Sequence, residues 1–214
     1  FIVSPNNPTG TFNSETELRR LLARVPRSTL VLLDEAYCHY ASARPDYHGR
    51  SVPELVRRHP NLLVLRTFSK AYGLAGLRVG YGLGDPELIR LLDKIRMPFN
   101  VNLPAQFAAE AALGDVAFLR ASVKLIDSER AVLRRNLEAL GFSVPESAAN
   151  FLFVDARRDV RDLSSALLRQ GVIVRPLGEY GLNNHLRITV GSAPQNRRLL
   201  ASLRQALGAN GKGI

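Results

Sequence analysis

Two short apolar runs, each followed closely by reactive polar residues, constrain the fold of this 214-residue sequence more than any other feature. The first run covers residues 30–33 and leads into Asp34, and the second covers residues 62–66 and precedes Lys70. Runs of this length that are apolar almost throughout are typical of strands buried on both faces. Asp34 and Lys70 are therefore expected at or just beyond strand ends, where open α/β sheets bind their ligands.

The order of elements around these runs predicts an α/β fold. Residues 1–3 have the pattern of the end of another buried strand, and a capping box at Ser14 and Glu17 opens a helix that Pro26 stops. A strand, a helix and a strand in succession predict a parallel pair. We therefore predict a mostly parallel sheet as the centre of a first domain over residues 1–117.

The elements after residue 117 are shorter and predict a small α+β domain over residues 118–214. A long helix expected at residues 116–140 leads into this domain, and Gly141 ends that helix. The other elements expected here are strands at 142–144, 151–154, 172–174 and 186–190, helices at 160–170 and 194–207, and a frayed tail from residue 209.

Residues 67–81 place a lysine among donors suited to an anion. Thr67 and Ser69 supply hydroxyl groups and Arg78 supplies a guanidinium near Lys70. Three glycines in the same segment allow the backbone to turn sharply and to approach a ligand closely. This set suits a phosphate monoester next to an amine.

The composition argues against several classes of function. The net charge of +10 would suggest nucleic-acid binding, but the basic residues are dispersed over separate predicted helices without interleaved aromatics. We therefore expect solvated helix faces, with a basic nucleic-acid binder as the alternative.

The single cysteine, Cys38, excludes an internal disulfide and favours the cytoplasm. No apolar run approaches the roughly 20 residues that span a bilayer, and the histidines lack metal-ligand spacing, so we expect neither membrane nor metal binding.

Four motifs, in this order along the chain, resemble those of the fold type I (aspartate aminotransferase-like, class II) pyridoxal-phosphate enzymes, above all histidinol-phosphate aminotransferases. They are Ser-Pro-Asn-Asn-Pro-Thr-Gly at 4–10, Asp-Glu-Ala-Tyr at 34–37, the lysine segment at 67–81, and Leu-Arg-Ile-Thr-Val-Gly at 186–191. The resemblance implies pyridoxal 5'-phosphate as the cofactor. It also implies a three-layer large domain around a mostly parallel sheet, represented here without its N-terminal part, and a small C-terminal domain.

The same resemblance implies roles for individual residues at the cofactor. Lys70 would form the Schiff base and carry the proton, and Asp34 would hold the charge of the protonated ring nitrogen. Tyr37 and Asn7 would hydrogen-bond to the ring oxygen. The expected phosphate ligands are Thr67, Ser69 and Arg78.

Two arginines are expected to bind the substrate. Arg187 resembles the family arginine that holds the substrate's carboxylate or phosphate, and Arg175 resembles a second anion ligand of the histidinol-phosphate branch. Either arginine could instead simply face solvent. The resemblance then implies transamination between histidinol phosphate and 2-oxoglutarate, in histidine biosynthesis, by a homodimer whose other partners are small-molecule amino donors and 2-oxo acids.

Other functions remain open from the sequence. An aromatic-amino-acid aminotransferase and a threonine-phosphate decarboxylase share these motifs, and so does the ligand-sensing portion of some transcription regulators. Because part of the family's site would lie before residue 1, we expect the 214-residue chain alone to be inactive.

Overall fold

The computed structural model describes residues 1–210, which divide into two compact units. The first unit comprises Phe1–Asn7 and Thr11–Val123, and the second comprises Pro8–Gly10 and the chain from Lys124 onward. The main division lies a few residues after the boundary expected at residue 117. The assignment of cofactor binding to the first domain stays a prediction.

A four-stranded sheet forms the centre of the first unit. Strands β1 and β2 pair in parallel, as do β2 and β3, whereas β3 and β4 are antiparallel. This mixed, mostly parallel sheet confirms the predicted α/β class. The strands in sheet order are β1 (Ile2–Val3), β2 (Val31–Asp34), β3 (Leu62–Thr67) and β4 (Gly80–Leu83).

Helices cover the apolar side of this sheet. The capping box predicted at the start of α1 is present, because the Ser14 side chain accepts from the Glu17 backbone and the Glu17 carboxylate accepts from the Ser14 backbone at 2.8 Å. Leu18 of α1, Leu55 of α3 and Leu33 of β2 belong to one buried core. The helices of this unit are α1 (Glu15–Arg24), α2 (Cys38–Ala41), α3 (Val52–Arg58), α4 (Pro86–Ile95) and α5 (Leu103–Gly114), followed by α6 (Val116–Ala139), which continues into the second unit.

The second unit is an α+β arrangement around a three-stranded antiparallel sheet in the order β5, β7, β6. Its further elements are β5 (Phe151–Asp155), α7 (Arg161–Arg169), β6 (Arg175–Leu177), β7 (Leu182–Thr189) and α8 (Ala193–Asn210). Within residues 1–210, no helix combines the length and the apolar character that a membrane span requires.

Two expected strands of the second unit were wrong. Residues 142–144 form only an isolated bridge between Ser143 and Asp155, because Pro145 has no backbone N–H with which to extend the pairing. The strand expected at 172–174 lies instead at β6, where the backbone meets β7. Helix α8 continues to Asn210, and the rest of the expected frayed tail, residues 211–214, lies outside the described part of the chain.

Candidate functional site

The carboxyl ends of β1, β2 and β3 lie at one edge of the first unit's sheet, because parallel strands end on the same side. Asp34 is the last residue of β2 and is partly buried. One of its carboxylate oxygens accepts a hydrogen bond from the backbone of Ala36 at 2.9 Å, which caps the turn that follows. Asn7 is exposed in the turn after β1. Ser4, the first residue after β1, donates its backbone N–H to the carbonyl of Asp34 at 3.0 Å.

Lys70 and Tyr37 contact each other at this edge. The ammonium nitrogen of Lys70 lies 5.3 Å from the centroid of the Tyr37 ring, within the range of a cation–π interaction. Tyr37 is buried at the start of α2, and Lys70 is partly buried three residues after the end of β3. The fold therefore brings together two predicted site residues that are 33 positions apart.

The three expected phosphate ligands also form one cluster. The Ser69 backbone donates to the Thr67 hydroxyl at 3.0 Å, and the Arg78 guanidinium donates to the Ser69 hydroxyl at 3.4 Å and to the Ala75 carbonyl at 2.7 Å. Arg78 is exposed and has left-handed backbone angles, with φ 55° and ψ 50°. Non-glycine residues adopt this conformation rarely, and they do so disproportionately at functional sites.

Gly80 allows the chain to return beside this cluster. It pairs with Thr67 across β3 and β4, and a Cβ atom at this position would lie 2.6 Å from the Arg66 carbonyl oxygen. A side chain here would force the two strands apart. The glycine therefore permits the close pairing that holds the Lys70 segment between β3 and β4.

Arg187 and Arg175 lie in the second unit, on neighbouring strands. They are direct partners in the register of β7 and β6. The Arg187 guanidinium carbon lies 5.3 Å from the centroid of the Phe151 ring, whereas Arg175 is exposed and forms an ion pair with Glu179. Two like charges directly opposite each other destabilise a sheet, so this pair suits an anion that both guanidinium groups bind.

Sequence reasoning missed a buried polar cluster behind the strand ends. Glu35 is 0% exposed and accepts hydrogen bonds from Arg66 at 2.7 Å and from Tyr47 at 3.0 Å, with His48 Nε2 2.9 Å from the same carboxylate. Burial by itself raises the pKa of Glu35, but the hydrogen bond from His48 and the charge of Arg66 outweigh that effect and lower the pKa below its ordinary value. The signal that could have found the cluster is alternation, because Glu35 follows the core residue Leu33 by two positions.

The thiol of Cys38 and the arrangement of potential metal ligands bear on two other kinds of chemistry. Cys38 is buried, and burial raises the pKa of its thiol to about 12, which disfavours the reactive thiolate. Among residues 1–210, no group of three or more histidine, cysteine, aspartate or glutamate side chains is arranged to hold a metal ion.

Curated relatives match nearly the whole chain. It is 50% identical over 210 residues to a histidinol-phosphate aminotransferase from an Anaeromyxobacter species, covering 98% of this chain and 57% of that protein. It is also 50% identical to histidinol-phosphate aminotransferase 1 from Cupriavidus pinatubonensis, covering 97% of this chain and 55% of that protein. The chain thus spans little more than half the length of these relatives.

Solved structures have the same fold. A histidinol-phosphate aminotransferase from Sinorhizobium meliloti in complex with pyridoxal-5'-phosphate superposes with a TM-score of 0.90 at 32% identity, covering 97% of this chain and 56% of that one. An L-threonine-O-3-phosphate decarboxylase from Porphyromonas gingivalis superposes with a TM-score of 0.84 at 25% identity, covering 97% and 63%. The family model for aminotransferases of class I and II matches residues 1–203. With Lys70, Asp34 and Arg78 gathered at the strand ends and this match over most of its length, the chain belongs to the class I and II aminotransferase family.

Proposed function

We propose that the protein containing this chain is a pyridoxal-phosphate-dependent aminotransferase that moves the amino group of histidinol phosphate to 2-oxoglutarate. The observation that carries this proposal is the arrangement at the ends of β2 and β3, where Lys70 lies against Tyr37 and Arg78 lies against Ser69. The names of the curated relatives support the reaction, and the pyridoxal-phosphate complex of the S. meliloti protein supports the cofactor.

The side chains at this edge fit pyridoxal phosphate. Its phosphate requires several donors, which the clustered Arg78, Ser69 and Thr67 provide. Its aldehyde requires an amine, for which Lys70 is available, and its ring nitrogen requires a carboxylate, for which Asp34 is available. When bound, the cofactor supplies an electron sink next to the carbon that loses its proton.

The chain's own residues would then divide the remaining work. Lys70 Nζ would anchor the cofactor and carry a proton, and the Tyr37 ring, 5.3 Å from this nitrogen, would limit where the amine can lie. Asp34, which accepts a hydrogen bond from the Ala36 backbone, would pair with the ring nitrogen. Asn7, from the turn after β1, and the Tyr37 hydroxyl would each form a hydrogen bond to the ring oxygen.

Arg187 and Arg175 would bind the anionic part of the substrate. A carboxylate is satisfied by one guanidinium, whereas a phosphate dianion can engage two. The direct pairing of these residues across β7 and β6 supports a site for the phosphate of histidinol phosphate, provided that the phosphate displaces Glu179 from Arg175.

A threonine-phosphate decarboxylase is the second candidate, because one such enzyme superposes closely and also takes a phosphate-bearing substrate by its name. The two reactions differ in their products, since only the decarboxylase releases carbon dioxide. Incubating the whole protein with each substrate and measuring glutamate and carbon dioxide distinguishes them.

Replacement of Lys70 tests the cofactor assignment. Borohydride reduction of the wild-type protein with pyridoxal phosphate should leave the cofactor's mass on the peptide that contains Lys70, and Lys70→Ala should abolish both that adduct and turnover. Lys94→Ala, at an exposed position of α4, is the matched control and should retain both. A reducible adduct that persists in Lys70→Ala would show that another lysine is the anchor.

Replacement of the two arginines tests the substrate. Arg187→Ala should raise the Michaelis constants of glutamate and histidinol phosphate alike. Each lost charge-assisted hydrogen bond should cost about 1.5 to 3 kcal/mol of binding free energy. Arg175→Ala should weaken histidinol phosphate more than glutamate. Equal losses for the two substrates in Arg175→Ala, or a wild-type preference for phenylalanine as donor, would contradict the histidinol-phosphate assignment.

The proposal includes a homodimer of the whole protein. Large apolar side chains of the first unit are exposed around Ile95, Met97 and Phe99, as at many protein–protein interfaces. Sedimentation equilibrium of the whole protein gives the assembly mass, and a monomer at all concentrations would contradict this part of the proposal.

A further inference from the structure

The carboxylate of Glu35 uses both of its oxygens within a buried network. Arg66 Nε donates to Oε2 at 2.7 Å, the Tyr47 hydroxyl donates to Oε1 at 3.0 Å, and His48 Nε2 lies 2.9 Å from Oε1. The His48 side chain is 0% exposed, like that of Glu35, and the Arg66 side chain is 20% exposed. A charge is retained at such depth only when it is paired and hydrogen-bonded, so these four residues, the Glu35 network, act together.

The two ring nitrogens of His48 have different neighbours in this network. His48 Nδ1 lies 3.1 Å from the Asn13 carbonyl oxygen, which only accepts, so Nδ1 carries a hydrogen. On the other side of the ring, Nε2 lies 2.9 Å from the Oε1 atom of Glu35. The Glu35 network therefore holds its carboxylate between the Arg66 guanidinium and the His48 ring.

The network lies on the face of the sheet opposite the candidate site. Leu33 of β2 and Val64 of β3 are buried in the core against α1 and α3. Glu35 and Arg66 each follow one of these core residues by two positions, so alternation places their side chains on the same face. The intervening residue Asp34, by the same rule, is directed to the other face.

The network also joins the chain at the point where the sheet ends. The Glu35 backbone N–H donates to the Leu65 carbonyl at 2.8 Å, and beyond this bond β2 and β3 separate into different loops. The side-chain bond between Glu35 and Arg66 is thus the next link between the two strands. Glu35 directly follows Asp34 in the sequence, and Arg66 lies four residues before Lys70.

We propose that Glu35 and Arg66 are positioning residues, which hold the Asp34 and Lys70 segments at a fixed separation from behind the sheet. This inference rests on the proposed function, because the separation matters when one ligand must reach both side chains. A misplacement of about 1 Å at such a site is enough to cost roughly a hundredfold in rate.

The test replaces Glu35 in the whole protein and measures cofactor binding as well as turnover. Glu35→Gln retains the shape but removes the charge that holds Arg66. We expect the dissociation constant of pyridoxal phosphate, measured by absorbance titration, to rise about tenfold. We also expect a shifted pH midpoint of the bound cofactor's absorbance, and a lower kcat with little change in the KM of the amino donor.

Matched variants separate positioning from a general loss of stability. Glu87→Gln removes an exposed glutamate that is also paired with an arginine, Arg90, and should leave all three measurements unchanged. The double variant Glu35→Gln with Arg66→Gln should bind the cofactor no more weakly than the weaker of the two single variants. Each single variant already breaks the Glu35–Arg66 pair, so the second substitution removes nothing more from it. If Glu35→Gln does not fold, Tyr47→Phe removes a single bond to the same carboxylate and should shift the measurements in the same direction by a smaller factor.

The outcomes distinguish this inference from the function on which it rests. A wild-type protein that does not bind pyridoxal phosphate overturns the proposed function and this inference with it. A wild-type protein that binds it, together with folded Glu35→Gln or Tyr47→Phe variants whose dissociation constant and pH midpoint are unchanged, overturns the positioning role alone.

Discussion

Among single residues, Glu35 makes the stability of the fold depend on pH. Its pKa in the folded protein is lower than its ordinary value of 4.5, so the folded state binds this proton less tightly than the unfolded state does. The resulting stabilisation is fully present above the unfolded pKa, and it is lost as the pH falls through the lowered folded pKa.

We expect Glu35→Gln to be less stable than the wild type at pH 7, and the difference to shrink as the pH falls below about 4.5. Urea unfolding followed by circular dichroism between pH 7 and pH 3 measures this difference. The exposed control Glu87→Gln should match the wild type at pH 7 within about 0.5 kcal/mol. A difference between Glu35→Gln and the wild type that does not change with pH would show that the lowered pKa does not contribute to stability.

Arg78 has a backbone conformation that favours glycine although its side chain is expected to bind phosphate. A left-handed backbone costs a residue with a Cβ roughly 1 to 2 kcal/mol. Arg78→Gly should therefore be more stable than Arg78→Ala by about 1 kcal/mol, while both variants should bind pyridoxal phosphate more weakly than the wild type. Thermal unfolding and absorbance titration measure the two effects, and a glycine variant that binds the cofactor normally would remove Arg78 from the phosphate site.

Different residues of the site were predictable to different degrees. Lys70, Asp34 and Arg78 stand out in the sequence because their motifs are local and ordered along the chain. Glu35 and Arg66 were missed, since each is an ordinary charged residue in the sequence. They lie 31 positions apart and meet only because β2 and β3 pair.

At the scale of elements, the start of α1 shows how a local signal decides structure. The Ser14 side chain and the Glu17 carboxylate satisfy each other's backbone N–H groups, which otherwise lack partners at a helix start. Ser14→Ala should lower the free energy of unfolding by about 1 kcal/mol.

Ser128→Ala in the interior of α6 is the control for this capping prediction. The Ser128 hydroxyl donates to the Leu125 carbonyl three residues earlier and completes no helix start. Its replacement should change the unfolding free energy by less than about 0.5 kcal/mol. If both serine variants behave alike in urea unfolding, the cap does not stabilise α1.

Strands were less predictable than helices because their partners are distant in the sequence. The capping signal of α1 lies within a few residues of the helix, and the helix begins where expected. The apolar run at 172–174 does not reveal that pairing with β7 starts only at Arg175, and the run at 142–144 does not reveal that its pairing ends after one bridge. Strand bounds depend on the neighbouring strand.

At the scale of the whole molecule, the exposed apolar side chains of the first unit predict self-association. Helix α4 has no buried residue, Ile95 at its end is 78% exposed and Phe99 is 99% exposed. We expect the sedimentation coefficient of the 214-residue chain to rise with concentration, because association removes such side chains from water.

A pair of serine variants tests which surface associates. Ile95→Ser combined with Phe99→Ser should reduce the concentration dependence, whereas Ile173→Ser should not, although Ile173 of the second unit is 85% exposed. A larger effect of Ile173→Ser would place the associating surface on the second unit instead.

The sequence by itself determined the family and the α/β class, and it predicted most residues of the candidate site. These properties depend on local patterns: apolar runs of strand length, capping residues, and motifs in a set order. Only the tertiary structure decided that Lys70 lies against Tyr37, that Arg175 lies opposite Arg187, and that a buried network joins β2 and β3 behind Asp34. The physical reason is that each of these contacts joins residues far apart in the chain, whose meeting depends on strand order and register, and short patterns in the sequence specify neither.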